Sequence, residues 1–309
     1  MNAIYRHLLF LPLACAALVP LACSANDASN EQDTAAATVH QATAACDRNS
    51  PFDLPQNFHI RGADGVELWG NHTSARFSAD ESTVYLGVIS ATSGWDIVKG
   101  TRISTGSYAA AEWVSELNTN RTERWASLSS DGKTMYFAQA LADVDNTRIF
   151  WTTRPNTSAA WGPAKEVAGL PPGWLDTPYL HHDNELWFNY NADIYRAIVT
   201  NGDAHGTAVA VNELNQAGAD DSAPVLSADG LDIYFATTRG TSPLNTDIWT
   251  ARRTSSNEAF PAPHRIDDPL MALDVDDWPT WISPDNCRLY MASDRVDRRR
   301  GIWVATRRP

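Results

Sequence analysis

Ala223-Pro224-Val225-Leu226-Ser227-Ala228-Asp229-Gly230, then Ile233-Tyr234-Phe235-Ala236, then Asp247-Ile248-Trp249-Thr250-Ala251-Arg252: this stretch reads as three strands of one antiparallel unit. The Asp-Gly pair separates two apolar runs. Such pairs tolerate the left-handed backbone that tight hairpins need. The runs are rich in Ile, Val, Tyr, Phe and Trp, which fit a pleated, half-buried surface.

The same order recurs four more times. Pro279 to Asn286, Leu289 to Ser293 and Gly301 to Arg307 form one copy. Ala126 to Gly132, Met135 to Ala138 and Arg148 to Thr152 form another. The first copy is Ala75 to Asp80, Val84 to Leu86 and Trp95 to Val98. The weakest is Pro178 to Asn184, Leu186 to Phe188 and Asp193 to Arg196, with His181-His182 in place of the turn serine. Turn aspartates fall at Asp80, Asp131, Asp183, Asp229 and Asp285, a period of about 50 residues. Five copies of one aspartate point to scaffold, each accepting backbone N–H groups within its own turn. Asp96, Asp193 and Asp247 open third strands and read as structural too.

A fourth strand per unit is weaker: Trp161 to Val167 and Phe260 to Ile266. Four-stranded units at this period mean propeller blades. The motif of proline, apolar residue, Ser-x-Asp-Gly, aromatic strand and Asp-Ile-Trp resembles the WD40-like PD40 repeats of TolB-type proteins. The resemblance covers residues 52–309. It implies an all-β fold, a single propeller. Five repeats predict five four-stranded blades. TolB-type propellers typically have six, which is the alternative count. The chain ends on the third strand of its last repeat, so Phe52 to Ile60 is expected to supply the missing fourth strand and close the ring. Closure removes exposed strand edges.

Upstream, Arg6 and His7 precede an apolar run from Leu8 to Ala22. This pattern reads as a signal peptide over residues 1–22. Pro20-Leu21-Ala22-Cys23 resembles a bacterial lipobox, which implies lipidation of Cys23. Free secretion after ordinary cleavage is the alternative. Residues 23–51 are poor in large apolar residues and read as a flexible tether. An outer-membrane lipoprotein follows, touching the membrane only through its anchor. Cys46 and Cys287 are an even pair in an oxidising compartment and are expected to form a disulfide. The net charge of −13 disfavours nucleic acid as a partner.

First strands of propeller blades line the central channel. Counting six places back from each turn serine gives His72, Glu123, Asp221 and Asp277, and the third copy offers Asp176 one place later. Trp125, Trp174 and Trp278 stand beside them. Aromatic faces next to carboxylates suit sugar rings or cations. These eight residues are the ligand-binding candidates. The leading expectation is a non-enzymatic envelope propeller that binds a protein, peptide or glycan at the channel mouth. One alternative is a glycoside hydrolase using two of the carboxylates, as arabinanase-type five-bladed enzymes do. The other is a structural envelope lipoprotein. A repeated hydrogen bond at each strand start would explain the same polar residues without a ligand. The histidine pair and the basic run Arg295, Arg298, Arg299 and Arg300 read as unsuited to joint ligation and as a solvated loop, respectively. No Gly-rich phosphate loop, Cys-x-x-Cys or His-Glu-x-x-His occurs, so no cofactor or metal is expected.

Overall fold

The apolar runs of the repeats form five sheets whose inner strands are buried on both faces. The computed structural model describes residues 46–308 except 63, 66–71, 91–93, 105–106, 142–145, 241–244, 267–274 and 297–298. The signal peptide, Cys23 and most of the tether lie outside the described residues. Blade 1 comprises His72–Phe77, Thr83–Ser90, Gly94–Ser104 and Ser107–Trp113. Blade 2 comprises Glu123–Leu128, Thr134–Ala140, Thr147–Thr153 and Lys165–Glu166. Blade 3 holds Leu175–His181, Glu185–Tyr190, Asp193–Thr200 and Asp203–Ala210. Blade 4 holds Asp221–Leu226, Asp232–Thr237, Asp247–Arg252 and His264–Arg265. Blade 5 holds Asp277–Ile282, Arg288–Val296, Arg299–Thr306 and the N-terminal Gln56–Asn57.

The first strands touch in a closed cycle, each against the first strand of the next blade. An apolar core fills every interface between neighbours. Blades 1 and 2 share Tyr85, Ile97, Met135 and Phe137. Blades 2 and 3 share Tyr136, Ile149, Leu180 and Phe188. Blades 3 and 4 bury Trp187, Ile194, Phe235 and Phe260. Blades 4 and 5 bury Tyr234, Ile248, Leu289 and Met291. Between blades 5 and 1, Phe77 packs on Tyr290 and Trp281, with ring centroids 4.4 and 4.7 Å away. Five interfaces in a cycle fix five blades. Each large side chain so buried is worth about 1.5–3 kcal/mol.

The repeat serines and aspartates do what their spacing suggests in four blades. Ser129 Oγ donates to Asp131 (2.7 Å), which accepts the Lys133 N–H (3.0 Å). Ser227, Asp229 and Leu231 repeat the arrangement, as do the turns at Asp80 and Asp285. Gly132 and Gly230 sit at φ 67°, a region where a Cβ is costly. Blade 3 departs. His181 offers no hydroxyl, and Asp183 instead accepts the Ser130 N–H of blade 2 (2.6 Å).

Closure uses the N-terminal segment in two pieces rather than as one strand. Gln56 and Asn57 pair antiparallel with Val304 and Trp303, completing blade 5. His59–Gly62 then pairs parallel with Ser107–Trp113, giving blade 1 a fifth strand. Phe58 and Ile60 explain the crossing, because both side chains enter the core between blades 5 and 1. The disulfide joins Cys46 to Cys287 across 241 residues of chain. Arg48 pairs with Asp229 and Asp232 of blade 4. Among the described residues, Cys46 and Arg48, upstream of residue 52, are thus tied to blades 5 and 4.

Candidate functional site

The opening residues of the five first strands are His72, Glu123, Leu175, Asp221 and Asp277. Four of them are polar, yet none faces the channel cavity. All four are buried. Glu123 accepts from the Thr119 N–H (3.1 Å) and from Gln139 Nε2 (2.7 Å). Asp221 accepts the Gln216 N–H (2.7 Å) and pairs with Arg239. Asp277 pairs with Arg295 at 2.8 Å. Arg239 and Arg295 are themselves repeat copies, since each Nε also donates to a hydroxyl two residues earlier, Thr237 or Ser293. Burial pushes the carboxyls of Glu123 and Asp277 up from their ordinary range. Burial also depresses the His72 imidazole to about 4.

One place further on stand Thr73, Arg124, Asp176, Ser222 and Trp278. All five line one cavity of about 150 Å³. Trp95, Trp125, Trp174, Asn189, Asp220 and Arg300 complete most of its wall. Of the eight candidate residues, the structure brings Trp125, Trp174, Asp176 and Trp278 together here. It places His72, Glu123, Asp221 and Asp277 behind the wall. Successive strand residues point to opposite faces, so the single step decides which ring meets the cavity.

A bulge in every first strand sets this register. Pairing with the second strand slips after Thr73, Arg124, Asp176, Ser222 and Pro279. Ser74, Trp125, Thr177 and Ala223 take φ of 49–59° at the slip. Proline cannot adopt that φ, and Pro279 is absent from the set. The bulges also bond between blades: Trp125 N–H donates to Ser74 Oγ, and Ala223 N–H to Thr177 Oγ1, both at 3.1 Å. Trp125 clusters with Ala223, Ala236 and Trp278. Blade 2 neighbours neither blade 4 nor blade 5, so this cluster bridges the axis.

The cavity wall is polar between its four indoles. Arg124 Nη2 pairs with Asp176 at 2.5 Å. Burial raises the Asp220 carboxyl, reinforced by Asp221 and Asp176. Arg124 Nε, Asn189 Oδ1, Asp220 Oδ1 and Arg300 Nε are buried with no hydrogen-bond partner among the described residues. Buried polar atoms in native proteins almost always have partners, so four such atoms around one cavity mark a place built for polar contact. Sequence reasoning missed Trp95, Arg124, Asn189, Asp220 and Arg300. It also treated the basic run near Arg300 as a solvated loop. Arg295 is instead tied to Asp277, and Arg300 lies over the Trp278 ring, 4.0 Å from its centroid. Among the described residues, no group of three or more His, Cys, Asp or Glu is arranged to hold a metal ion.

The other end of the channel has a cavity of about 270 Å³ lined by Arg76, Ser127, Tyr179, His181, His182 and Trp281, among others. Arg76 is buried, and its guanidinium lies over the Tyr179 ring at 4.8 Å. His181 and His182 stack with centroids 3.8 Å apart. Strand alternation would oppose them, but His182 has left the strand at φ 49°. Each Nε2 donates to a blade 4 carbonyl, that of Ser227 or Ala228. Trp113 is exposed on blade 1, and Trp281 is largely core.

No family model matches the chain, and no curated protein matches it in sequence. Solved structures do resemble it in shape. A GH43 endo-arabinanase from Bacillus licheniformis is 12% identical, with 77% of this chain and 96% of that chain covered and a TM-score of 0.53. A putative exo-β-1,3-galactanase from Bifidobacterium bifidum is 11% identical over 82% of this chain and 92% of that one, with a TM-score of 0.52. A putative TolB from Agrobacterium tumefaciens is 16% identical over 74% and 71%, with a TM-score of 0.48. At these identities the likeness concerns the propeller fold alone.

Proposed function

We propose that the chain is an envelope binding propeller that holds one ring of a saccharide at the mouth formed by the second residues of its first strands. The observation that carries this reading is the wall itself: four indoles interleaved with polar atoms that lack partners. Indole faces match the apolar faces of a sugar ring, and unpaired donors and acceptors match its hydroxyls. The cavity suits one ring rather than a long chain, so the remainder of a glycan would lie on the propeller face. Trp174, 38% exposed, stands at its edge.

Titration calorimetry of the oxidised protein against neutral and acidic oligosaccharides tests the proposal. Binding is expected, with loss of about 2 kcal/mol or more in Trp174→Ala, as for truncating an aromatic hot spot. No heat with any saccharide, and no change in tryptophan emission, would overturn it.

Glycoside hydrolysis is a second reading, favoured by Asp220 and Asp176 at one cavity. Burial raises Asp220, while Asp176 is paired with Arg124. Two carboxyls in unlike surroundings are the requirement for acid and base roles. New reducing ends that vanish in Asp220→Asn would support it over binding alone. Lipidation of Cys23 is part of the proposed setting. The disulfide agrees with an oxidising compartment. Mass spectrometry of the membrane fraction, with Cys23→Ser as control, tests the anchor.

A further inference from the structure

Most arginines in this domain are spent. Arg239 and Arg295 are tied to buried aspartates, Arg253 donates to two carbonyls, and Arg288 pairs with Glu81. Arg300 is different. It follows the basic start of the third strand of blade 5 and reaches the cavity wall. Its guanidinium lies over the Trp278 ring, 4.0 Å from the centroid, and its buried Nε has no hydrogen-bond partner among the described residues. The nearest acids are engaged elsewhere: Asp276 accepts the Thr246 N–H, and Asp294 accepts the Asp276 N–H, both at 2.9 Å. Burial lowers the pKa of Arg300. Asp276 and Asp294 act the other way, and the charge of Arg124 adds to the lowering. Arg124 is thus a second guanidinium in electrostatic reach, and its own Nε is also without a partner.

Stacking occupies the faces of a guanidinium and leaves its N–H edge free. That edge is a planar fork matched to a carboxylate. A neutral hydroxyl can accept one of those N–H bonds but cannot offset a half-buried positive charge. A ring seated among Trp95, Trp125 and Trp174 would carry its exocyclic substituents to the cavity rim, where the Arg300 guanidinium lies over the Trp278 ring. The ligand group that answers this geometry is an exocyclic carboxylate.

We propose that the mouth selects acidic saccharides, hexuronates or other carboxylate-bearing sugars, and that Arg300, assisted by Arg124, receives the carboxylate. This rests on the saccharide reading above. It also explains why an acidic protein keeps two arginines at one cavity beside Asp176 and Asp220. Asp176 is paired with Arg124, and burial raises the Asp220 carboxyl, reinforced by Asp221 and Asp176.

Calorimetry with oligogalacturonate, its methyl ester and neutral galacto-oligosaccharide of equal length, each at low and high salt, separates the possibilities. The acid is expected to bind about tenfold more tightly than its ester, or about 1.4 kcal/mol. Salt should erode that margin. Arg300→Gln should reduce acid binding about tenfold more than ester binding. Arg300→Lys should restore only part, since a point charge lacks the fork. Equal affinity for acid, ester and neutral sugar would overturn this proposal and leave saccharide binding standing. Equal losses for acid and ester in Arg300→Gln would also overturn it, because the arginine would then be only a packing surface. Failure of every saccharide to bind would overturn both readings.

Discussion

At their opening position the five first strands carry His72, Glu123, Leu175, Asp221 and Asp277. One residue later they carry Thr73, Arg124, Asp176, Ser222 and Trp278. The first ring repeats a type: four polar side chains, each buried. The second ring repeats nothing and meets the cavity. A residue that recurs from blade to blade meets a need that recurs, such as fixing the start of a strand. Five unlike residues around one opening cannot serve five equal blades, but they can serve one asymmetric ligand. In a repeat protein of this kind the shared position marks scaffold and the divergent position marks function.

The sharpest way to break that contrast is to remove a member of the first ring. Asp221→Ala strands the buried Arg239 and frees the Gln216 N–H. Leaving a buried charge uncompensated costs about 3–5 kcal/mol. Denaturant unfolding should show that loss, while saccharide affinity of the folded fraction stays close to that of the parent. Intact stability with lost binding would instead move Asp221 into the site and collapse the distinction.

His72 gives the next largest effect. Its imidazole stays neutral in the fold down to about pH 4, whereas an unfolded chain takes up the proton near pH 6.5. The unfolded state therefore binds more protons between these values, so stability rises with pH there. The contribution is complete above about pH 6.5 and is lost as pH falls toward 4, about 3 kcal/mol in all. The slope of unfolding free energy against pH should flatten over this window in His72→Gln. An unchanged slope would mean that His72 is not held neutral by burial.

The period, the hairpin turns and the closing strand were legible because each rests on local chemistry. Asp131-Gly132 and Asp229-Gly230 announce turns, and Tyr136, Phe137, Tyr234 and Phe235 announce strands packed on both sides. The disulfide followed from pairing the two remaining cysteines. What could not be read was which face each first-strand residue takes. Counting back from Ser78, Ser129, Ser227 or Ser283 assumes strict alternation, but the count crosses the bulge. One extra residue reverses the face. The sequence gives no warning, since Ser74, Trp125, Thr177 and Ala223 occupy left-handed positions usually left to glycine. The pairing of Arg239 and Arg295 with the first-strand aspartates escaped notice for another reason: each meets its aspartate from 18 residues away.

Ser222 provides the smallest effect and the strictest control. It stands in the second ring, immediately after Asp221, and the Ser222 hydroxyl makes no hydrogen bond to a described residue. Removing it leaves no buried group unpaired. Ser222→Ala should therefore change unfolding free energy by no more than about 0.5 kcal/mol, as surface substitutions do. In calorimetry it should still weaken a bound saccharide by about 0.5–1.5 kcal/mol, the net worth of one hydrogen bond. Together with Asp221→Ala this sets two adjacent residues on one strand in opposition, one carrying stability and the other affinity. A stability loss in Ser222→Ala as large as that of Asp221→Ala would mean that both rings are scaffold, and the ligand would then have to be sought at the Arg76 end of the channel.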